Sequence, residues 1–314
     1  MQPVSAIDPS LPEVQILLAT YNGGAFLREQ IESLLAQDYP RIRILAHDDG
    51  STDDTMAILK EYEAQGKLTC YQGKNTGATG SFLDLACHAD LSADYFAFCD
   101  QDDVWLPGKI SAGVRTLQAQ TGDDRPAAYG CRSSIVDEHL QRIEGRNRQE
   151  KPLVPSFGNA IAQCILQGCT AVMNRPMMAE LQNHTPKAAV AHDWWVYLIA
   201  TGCGQMIFDQ TPYVLYRQHS QNVLGRPTLM GRLQKYGRIR RKFGREHAWL
   251  KQTEEFAALY ADRLNAESRA LLAVALGYRQ GFGRRLKLVF HRRIRRLRLL
   301  DDLIWRFVCL FDLI

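Results

Sequence analysis

The sequence predicts an α/β protein: a doubly wound, mostly parallel sheet with helices on both faces, followed by basic amphipathic helices. Three observations carry that expectation. Short, almost wholly apolar runs alternate with helical periodicity over residues 14–100. A polar cluster follows each apolar run, and positive charge is concentrated near the end of the chain.

The elements follow in order. "VQILLAT" (Val14–Thr20) is apolar enough for a strand buried on both faces. After "YNGG", Leu27, Ile31, Leu34 and Leu35 recur at helical spacing until "QDYP" stops them. A second strand, "IRILAHD", meets "DGSTDDT", where Ser51 and Asp54 have capping-box spacing ahead of a stripe of Met56, Leu59 and Tyr62. The third strand, "LTCYQG", leads through "GKNTGAT" to the helical "SFLDLACHA". The fourth, "DYFAFCD", runs into Asp100, Asp102 and Asp103, with a proline and a helical pattern beyond. Later, "QGCTAVMN" (167–174) reads as a strand in which Gly168 permits close backbone approach.

At 314 residues with 46% apolar content the chain can bury a sizeable core. Its eight cysteines form no C-x-x-C pair, and Cys70, Cys87 and Cys99 lie in apolar runs, so reduced thiols in a cytosolic protein are expected. No basic region followed by an apolar core marks a signal peptide, and no run of about 18 apolar residues marks a spanning helix.

The net charge of +4 hides a division. Residues 1–216 hold 16 Lys and Arg against 26 Asp and Glu, a balance of −10, whereas residues 217–314 hold 22 against 8, a balance of +14. The tail places Leu286, Phe290, Ile294, Leu297, Leu300, Ile304, Phe307 and Phe311 at steps of three or four, which predicts one helix face. Arginines 284, 285, 292, 293, 295, 296 and 298 cover much of the rest, a composition suited to an anionic membrane surface. A weaker version runs through Leu229, Leu233, Tyr236, Ile239 and Phe243. Helices simply packed on the main domain are the plainer alternative. Nucleic acid is not an expected partner, because no recognition motif or aromatic platform is present. The expected domains are 1–225 and a helical region over 226–314.

In a parallel sheet, ligands bind beyond the carboxyl ends of the strands. "TYNGG", "DDGS", "KNTG" and "DQDD" each follow an expected strand, so four segments should meet along one edge. Neither a dinucleotide fingerprint nor a P-loop is present. Crowded carboxylates are costly unless neutralised, and Mg²⁺ or Mn²⁺ completed by substrate phosphates neutralises them. The acids alone leave a metal-dependent phosphohydrolase, a nucleotidyltransferase or a non-catalytic nucleotide-binding membrane module open.

The ordered set "LLATYNGGAFLREQIESLLAQ", "DDGSTDDT", "KNTG", "FCDQDDVWLPGK" and "AHDWW" resembles glycosyltransferase family 2, and "YRQHSQNVLG" resembles the run in its bacterial rhamnosyltransferases. The resemblance implies a GT-A-like fold and an inverting, metal-dependent sugar transfer. It gives Thr20, Tyr21, Asn22, Asp49, Lys74, Asp102 and Arg217 to the nucleotide sugar, with Asp48 a neighbour of Asp49. The metal goes to Asp100, Asp102, Asp103 and His219, with Asp103 the favoured direct ligand. Asp193 is the general base, preceded by His192 where Glu is commonest, and Gly168, Cys169 and Trp194 fall near the acceptor. The implied donor is dTDP-L-rhamnose, the acceptor a lipid-linked saccharide, and the location the cytoplasmic face of the membrane.

Overall fold

The computed structural model describes residue 8 and residues 10–122, 124–143, 152–219 and 248–312. Two compact units are present. One comprises Met1–Glu150, Leu166–Thr185 and Ile207–Arg217; the other comprises Lys151–Ile165, Pro186–Met206 and Gln218–Ile314. The expected boundary after residue 225 is therefore not where the compact units divide. The chain crosses between them several times, and the segment holding Asp193 belongs with the C-terminal helices.

The first unit is built on an eight-stranded sheet. Its strands are β1 (Val14–Thr20), β2 (Ile42–Asp48), β3 (Thr69–Gln72), β4 (Tyr95–Cys99), β5 (Val104–Trp105), β6 (Ala127–Val136), β7 (Val172–Asn174) and β8 (Gln205–Arg217), in spatial order β3-β2-β1-β4-β7-β6-β8-β5. β1 pairs in parallel with β2 and β4, and β2 with β3. β7 reverses direction against β4 and β6, as β5 does against β8.

The helices are α1 (Leu27–Leu35), α2 (Thr55–Ala64), α3 (Gly77–His88), α4 (Lys109–Gln120) and α6 (Arg175–Asn183). Both faces of β1 are buried. Val14, Ile16 and Leu18 join the core that contains Leu27, Ile31 and Leu34 of α1, while on β4 Phe98 meets Phe82 of α3 edge-on at 5.1 Å. Such double burial explains why these strands read as nearly continuous apolar runs.

The second unit contains α5 (Phe157–Ala162), α7 (His192–Gly202), α8 (Ala248–Tyr260), α9 (Ala266–Leu276), α10 (Phe282–Val289) and α11 (Leu299–Leu310). An aromatic core holds it: Trp195 packs on Phe256 and Tyr260, and Trp249 on Tyr278 and Trp305. None of the described helices is long and apolar enough to cross a membrane.

The tail departs from the single helix face that its periodicity suggested. α10 ends at Val289 and α11 begins at Leu299. Between them Arg292, Arg295 and Arg296 would repel one another at helical spacing. The chain instead makes other hydrogen bonds. The His291 Nδ1 accepts from the amides of Arg293 and Ile294, Arg295 offers its carbonyl to Asn159, and Leu297 donates its N–H to Gln163. The weaker basic pattern through Leu229–Phe243 lies outside the described residues, as does the end of the "YRQHSQNVLG" run.

Candidate active site

At the carboxyl end of the sheet, the loops after β1, β2 and β4 are tied together by side chain to backbone bonds. Thr20, buried, donates its hydroxyl to the His47 carbonyl (3.0 Å) and to Asp48 (3.2 Å). Asn22 takes a left-handed backbone (φ 47°); its amide donates to Ser51 Oγ (2.8 Å) and its side-chain oxygen accepts from the Thr52 amide (2.8 Å). The amides of Gly23 and Gly24 donate to Thr55 and Asp53. Ser51 is therefore no helix cap. Asp54 is the residue before α2, and Ser51 bridges Asn22 and the buried Asp48.

Asp49 is also buried, and its carboxylate is bonded within the protein. Both carboxylate oxygens accept from the start of α3, from the amides of Thr76 (2.9 and 3.1 Å) and Gly77 (2.9 Å). The carboxylate sits at the positive end of the helix, which is why α3 begins four residues before the expected "SFLDLACHA". Lys74 is exposed in the same loop, and Tyr21 presents its ring to solvent at 46% exposure.

The acids after β4 divide by burial. Asp100 and Asp102 are half-buried, whereas Asp103 is fully buried. Asp103 Oδ1 accepts from the Arg217 amide at 3.1 Å, and its Oδ2 has no hydrogen-bond partner among the described residues. Burial, then the charge on Asp102, pushes the Asp103 carboxyl far above the ordinary carboxylate range. Asp100, Asp103 and Cys169 bring one ligand atom each to within 4.8 Å of one another. With one buried carboxylate oxygen left without a partner among the described residues, Asp100 and Asp103 fit a hard divalent cation, while the Cys169 thiol, its pKa pushed well up by burial, stays a neutral neighbour. The group differs from the expected set: Cys169, assigned only an acceptor-side role, joins it, while Asp102 and His219 do not. Gly168 and Cys169 lie in a 3-10 turn (Gly168–Thr170), with strand only from Val172, so "QGCTAVMN" is half turn, half strand.

Arg217 meets a different fate from a reach to diphosphate. Its side chain is fully buried, donating to the carbonyls of Asp102 (2.8 Å) and Glu138 and pairing with Glu29, with the guanidinium over the Phe26 ring. The guanidinium is spent on holding the acid loop against α1, a positioning arrangement.

Two residues went unnoticed in the sequence. Gln101, between the acids, accepts from the Tyr21 amide (2.7 Å) and donates to the Tyr21 carbonyl (2.9 Å), clamping two loops 80 positions apart. Gly23 makes room, since a Cβ there would meet Gln101 Oε1 at 2.1 Å. No sequence pattern announces such a reach. Lys109 is fully buried over the Trp105 ring (3.3 Å), its Nζ without a hydrogen-bond partner among the described residues, and burial draws its pKa down to about 8. Here a signal existed: Lys109, Ala112, Gly113 and Leu117 share one buried helical stripe. Replacing Gln101 with alanine is expected to cost about 1 kcal/mol of donor binding, roughly a fivefold rise in donor KM with little change in kcat. Donor saturation curves check this, and an unaltered KM rejects the clamp's importance.

Asp193 and Trp194 occupy the first turn of α7 in the second unit, and His219 also belongs to that unit. Asp193 is half-buried at the helix N-terminus, and Trp194 donates its indole N–H to the Ala160 carbonyl at 2.6 Å. His192 is buried, which pulls its pKa to about 3 and keeps the ring neutral.

A doubly wound sheet with an acidic, cation-ready cluster beyond its strands defines a GT-A-type glycosyltransferase fold. Glycosyl transferase family 2 matches residues 15–177, just over half of the chain, and the chain belongs to that family. It is 28% identical over 243 residues to the dTDP-rhamnosyl transferase RfbG of Shigella flexneri, covering 73% of this chain and 81% of that one. An uncharacterized glycosyltransferase of Rickettsia prowazekii is 26% identical over 230 residues, 72% of this chain and 69% of the relative. Among solved structures, TarS 1-349 of S. aureus in complex with UDP-GlcNAc aligns over 96% of this chain and 91% of its own, with TM-score 0.54 and 14% identity. The mannosyltransferase PcManGT of Pyrobaculum calidifontis, in complex with GDP-Man and Mn²⁺, aligns over 96% and 89% at TM-score 0.50 and 17% identity. At these identities the two structures speak to the fold alone.

Proposed function

We propose that this glycosyltransferase moves L-rhamnose from dTDP-L-rhamnose, with inversion, to a lipid-linked saccharide at the cytoplasmic face of the membrane. The observation that carries the transfer reading is the buried, unpartnered Asp103 oxygen grouped with Asp100 and Cys169 beyond β4. The rhamnose assignment is supported by the likeness to a dTDP-rhamnosyl transferase and by the "YRQHSQNVLG" run. The membrane and lipid-acceptor assignments are supported by the basic C-terminal region.

In this reading the exposed Tyr21 ring and the Asn22 loop receive the nucleoside base and ribose, and Lys74 reaches the diphosphate. Thr20, Asp49, Gln101 and Arg217 hold these loops in register. Asp100 and Asp103 hold Mg²⁺ or Mn²⁺, with Asp102 facing the ribose or the metal and His219 a further diphosphate or metal contact. The ion supplies electrostatic stabilisation of the departing diphosphate. Asp193 takes the proton from the acceptor hydroxyl as it attacks the anomeric carbon, and Trp194, Gly168 and Cys169 border the acceptor.

A radiolabelled donor panel with membrane extract as acceptor tests the proposal. The expected result is transfer from dTDP-L-rhamnose with release of dTDP. Turnover of UDP-hexoses alone removes the rhamnose assignment and keeps the class.

A further inference from the structure

The second unit carries a surface that its own core does not use. α11 buries Asp302, Trp305 and Cys309 along one side. On another side Leu300, Leu303, Phe307 and Phe311 recur at steps of three and four, exposed by 44%, 54%, 57% and 56%. The Phe307 and Phe311 rings stack 4.7 Å apart. A water-facing helical stripe of this size is rare on a protein surface that binds nothing.

A shallow recess of about 640 Å³, open to solvent and mostly apolar, lies nearby in the chain between α9 and α10, floored by the buried Leu271 and the exposed Phe290 and edged by Lys287, His291, Arg292 and Arg293. Glu267 neutralises Arg293, but among the described residues Lys287 and Arg292 have no anionic partner. The connection bearing Arg292 is braced. Asp302 accepts from the Arg296 amide and pairs with Arg306, and Arg306 in turn donates to the carbonyls of His291 and Ile294. Positive potential there is strong enough that, after burial, Arg293, Lys287 and Arg306 all lower the His291 pKa.

We propose that the outer face of α11 and the apolar recess dock on an anionic bilayer, Leu300, Leu303, Phe307, Phe311 and Phe290 entering the acyl boundary and the exposed Lys287 and Arg292 at the edge of the recess meeting lipid phosphate. The proposal rests on the membrane reading above and gives it a definite surface. The chemistry is that of an interfacial helix: apolar side chains on one side of the headgroups, cations among them. Apolar burial alone would favour any vesicle, and the unpartnered cations alone would favour any phosphate. Together they select a phosphate anchored in a bilayer.

The test is flotation of the full chain with vesicles of phosphatidylcholine alone, or with about one-third phosphatidylglycerol. Wild type is expected to float with the anionic vesicles and stay behind with the neutral ones. Lys287→Gln with Arg292→Gln is expected to weaken anionic binding roughly thirtyfold, and Leu303→Ser with Phe307→Ser to abolish it. All four residues are exposed, so circular dichroism should show intact folding. Unchanged flotation of the double glutamine variant overturns the phosphate seat while leaving the membrane reading standing. Failure of wild type to float on any vesicle overturns both. Calorimetric binding of inorganic phosphate without flotation assigns the recess to a soluble anion and overturns the lipid. A dimer that Phe307→Ser dissolves, in a chain that ignores vesicles, overturns it in favour of a second copy.

Discussion

Asparagine in place of Asp193 is expected to lower kcat by roughly 10³-fold while nucleoside diphosphate binding stays within error of wild type. The change keeps shape and removes the proton acceptor. Folding should survive, because Asp193 stands in the first turn of α7, where losing a carboxylate costs about 0.3–1 kcal/mol of helix-dipole stabilisation. The neighbouring His192 cannot substitute: buried and neutral, it lies inside the unit, and its pKa of about 3 makes it a poor base near neutral pH. Initial rates at saturating donor, beside calorimetry with nucleoside diphosphate and Mn²⁺, separate the two effects. A rise in donor KM with unchanged kcat would move Asp193 from catalysis to binding.

The second large effect is expected at Asp103. Asp103→Asn should weaken Mn²⁺ binding by roughly 10²-fold or more, measured by the loss of the free-ion signal in electron paramagnetic resonance. The wild-type affinity should also fall as pH drops from about 8 to about 6, since the ion must displace a proton from a carboxyl whose pKa burial has raised. Stability of the metal-free protein runs the other way. A carboxyl with a raised native pKa binds its proton more tightly folded than unfolded. Its contribution to stability therefore declines as pH climbs from the ordinary carboxylate range through the raised value. The asparagine variant lacks that decline, so its melting temperature without metal should gain on wild type steadily as pH rises from about 4 to about 8. A variant with the wild-type metal affinity and the wild-type pH slope would exclude Asp103 from the cation site.

These expectations draw on residues of unequal visibility. The four parallel strands stand where the sequence puts them, β1 and β2 to the residue; for β1 and β4 the reason is burial on both faces, which leaves little but apolar side chains, whereas the edge strand β3 is partly exposed. Of the antiparallel half of the sheet only β7, the second half of "QGCTAVMN", announced itself. β5 is two residues long, and β8 carries Asp209, Gln210, Thr211 and Pro212 through its middle, so neither offers a clean period. The tail shows the opposite failure. Its period was real, yet Phe290, Leu297, Leu300, Phe307 and Phe311 of that stripe are exposed, and the side chains buried are Leu288, Val289, Trp305 and Cys309, with Ile294 alone of the eight fully inside.

By itself the sequence determined the positions of the parallel strands of the first half, the gathering of polar loops beyond them and the acidic character of the site. Those features depend on local period and on which residue types follow each strand, and both are written along the chain. Only the tertiary structure decided what each polar side chain does. Asp48 and Asp49 became anchors of loops and helix starts, Arg217 a buried brace, Gln101 a clamp, and Cys169 a neighbour of the acids. The physical reason is that a carboxylate or guanidinium has no fixed partner until distant backbone amides and carbonyls are brought within hydrogen-bond reach, and burial then obliges it to take them.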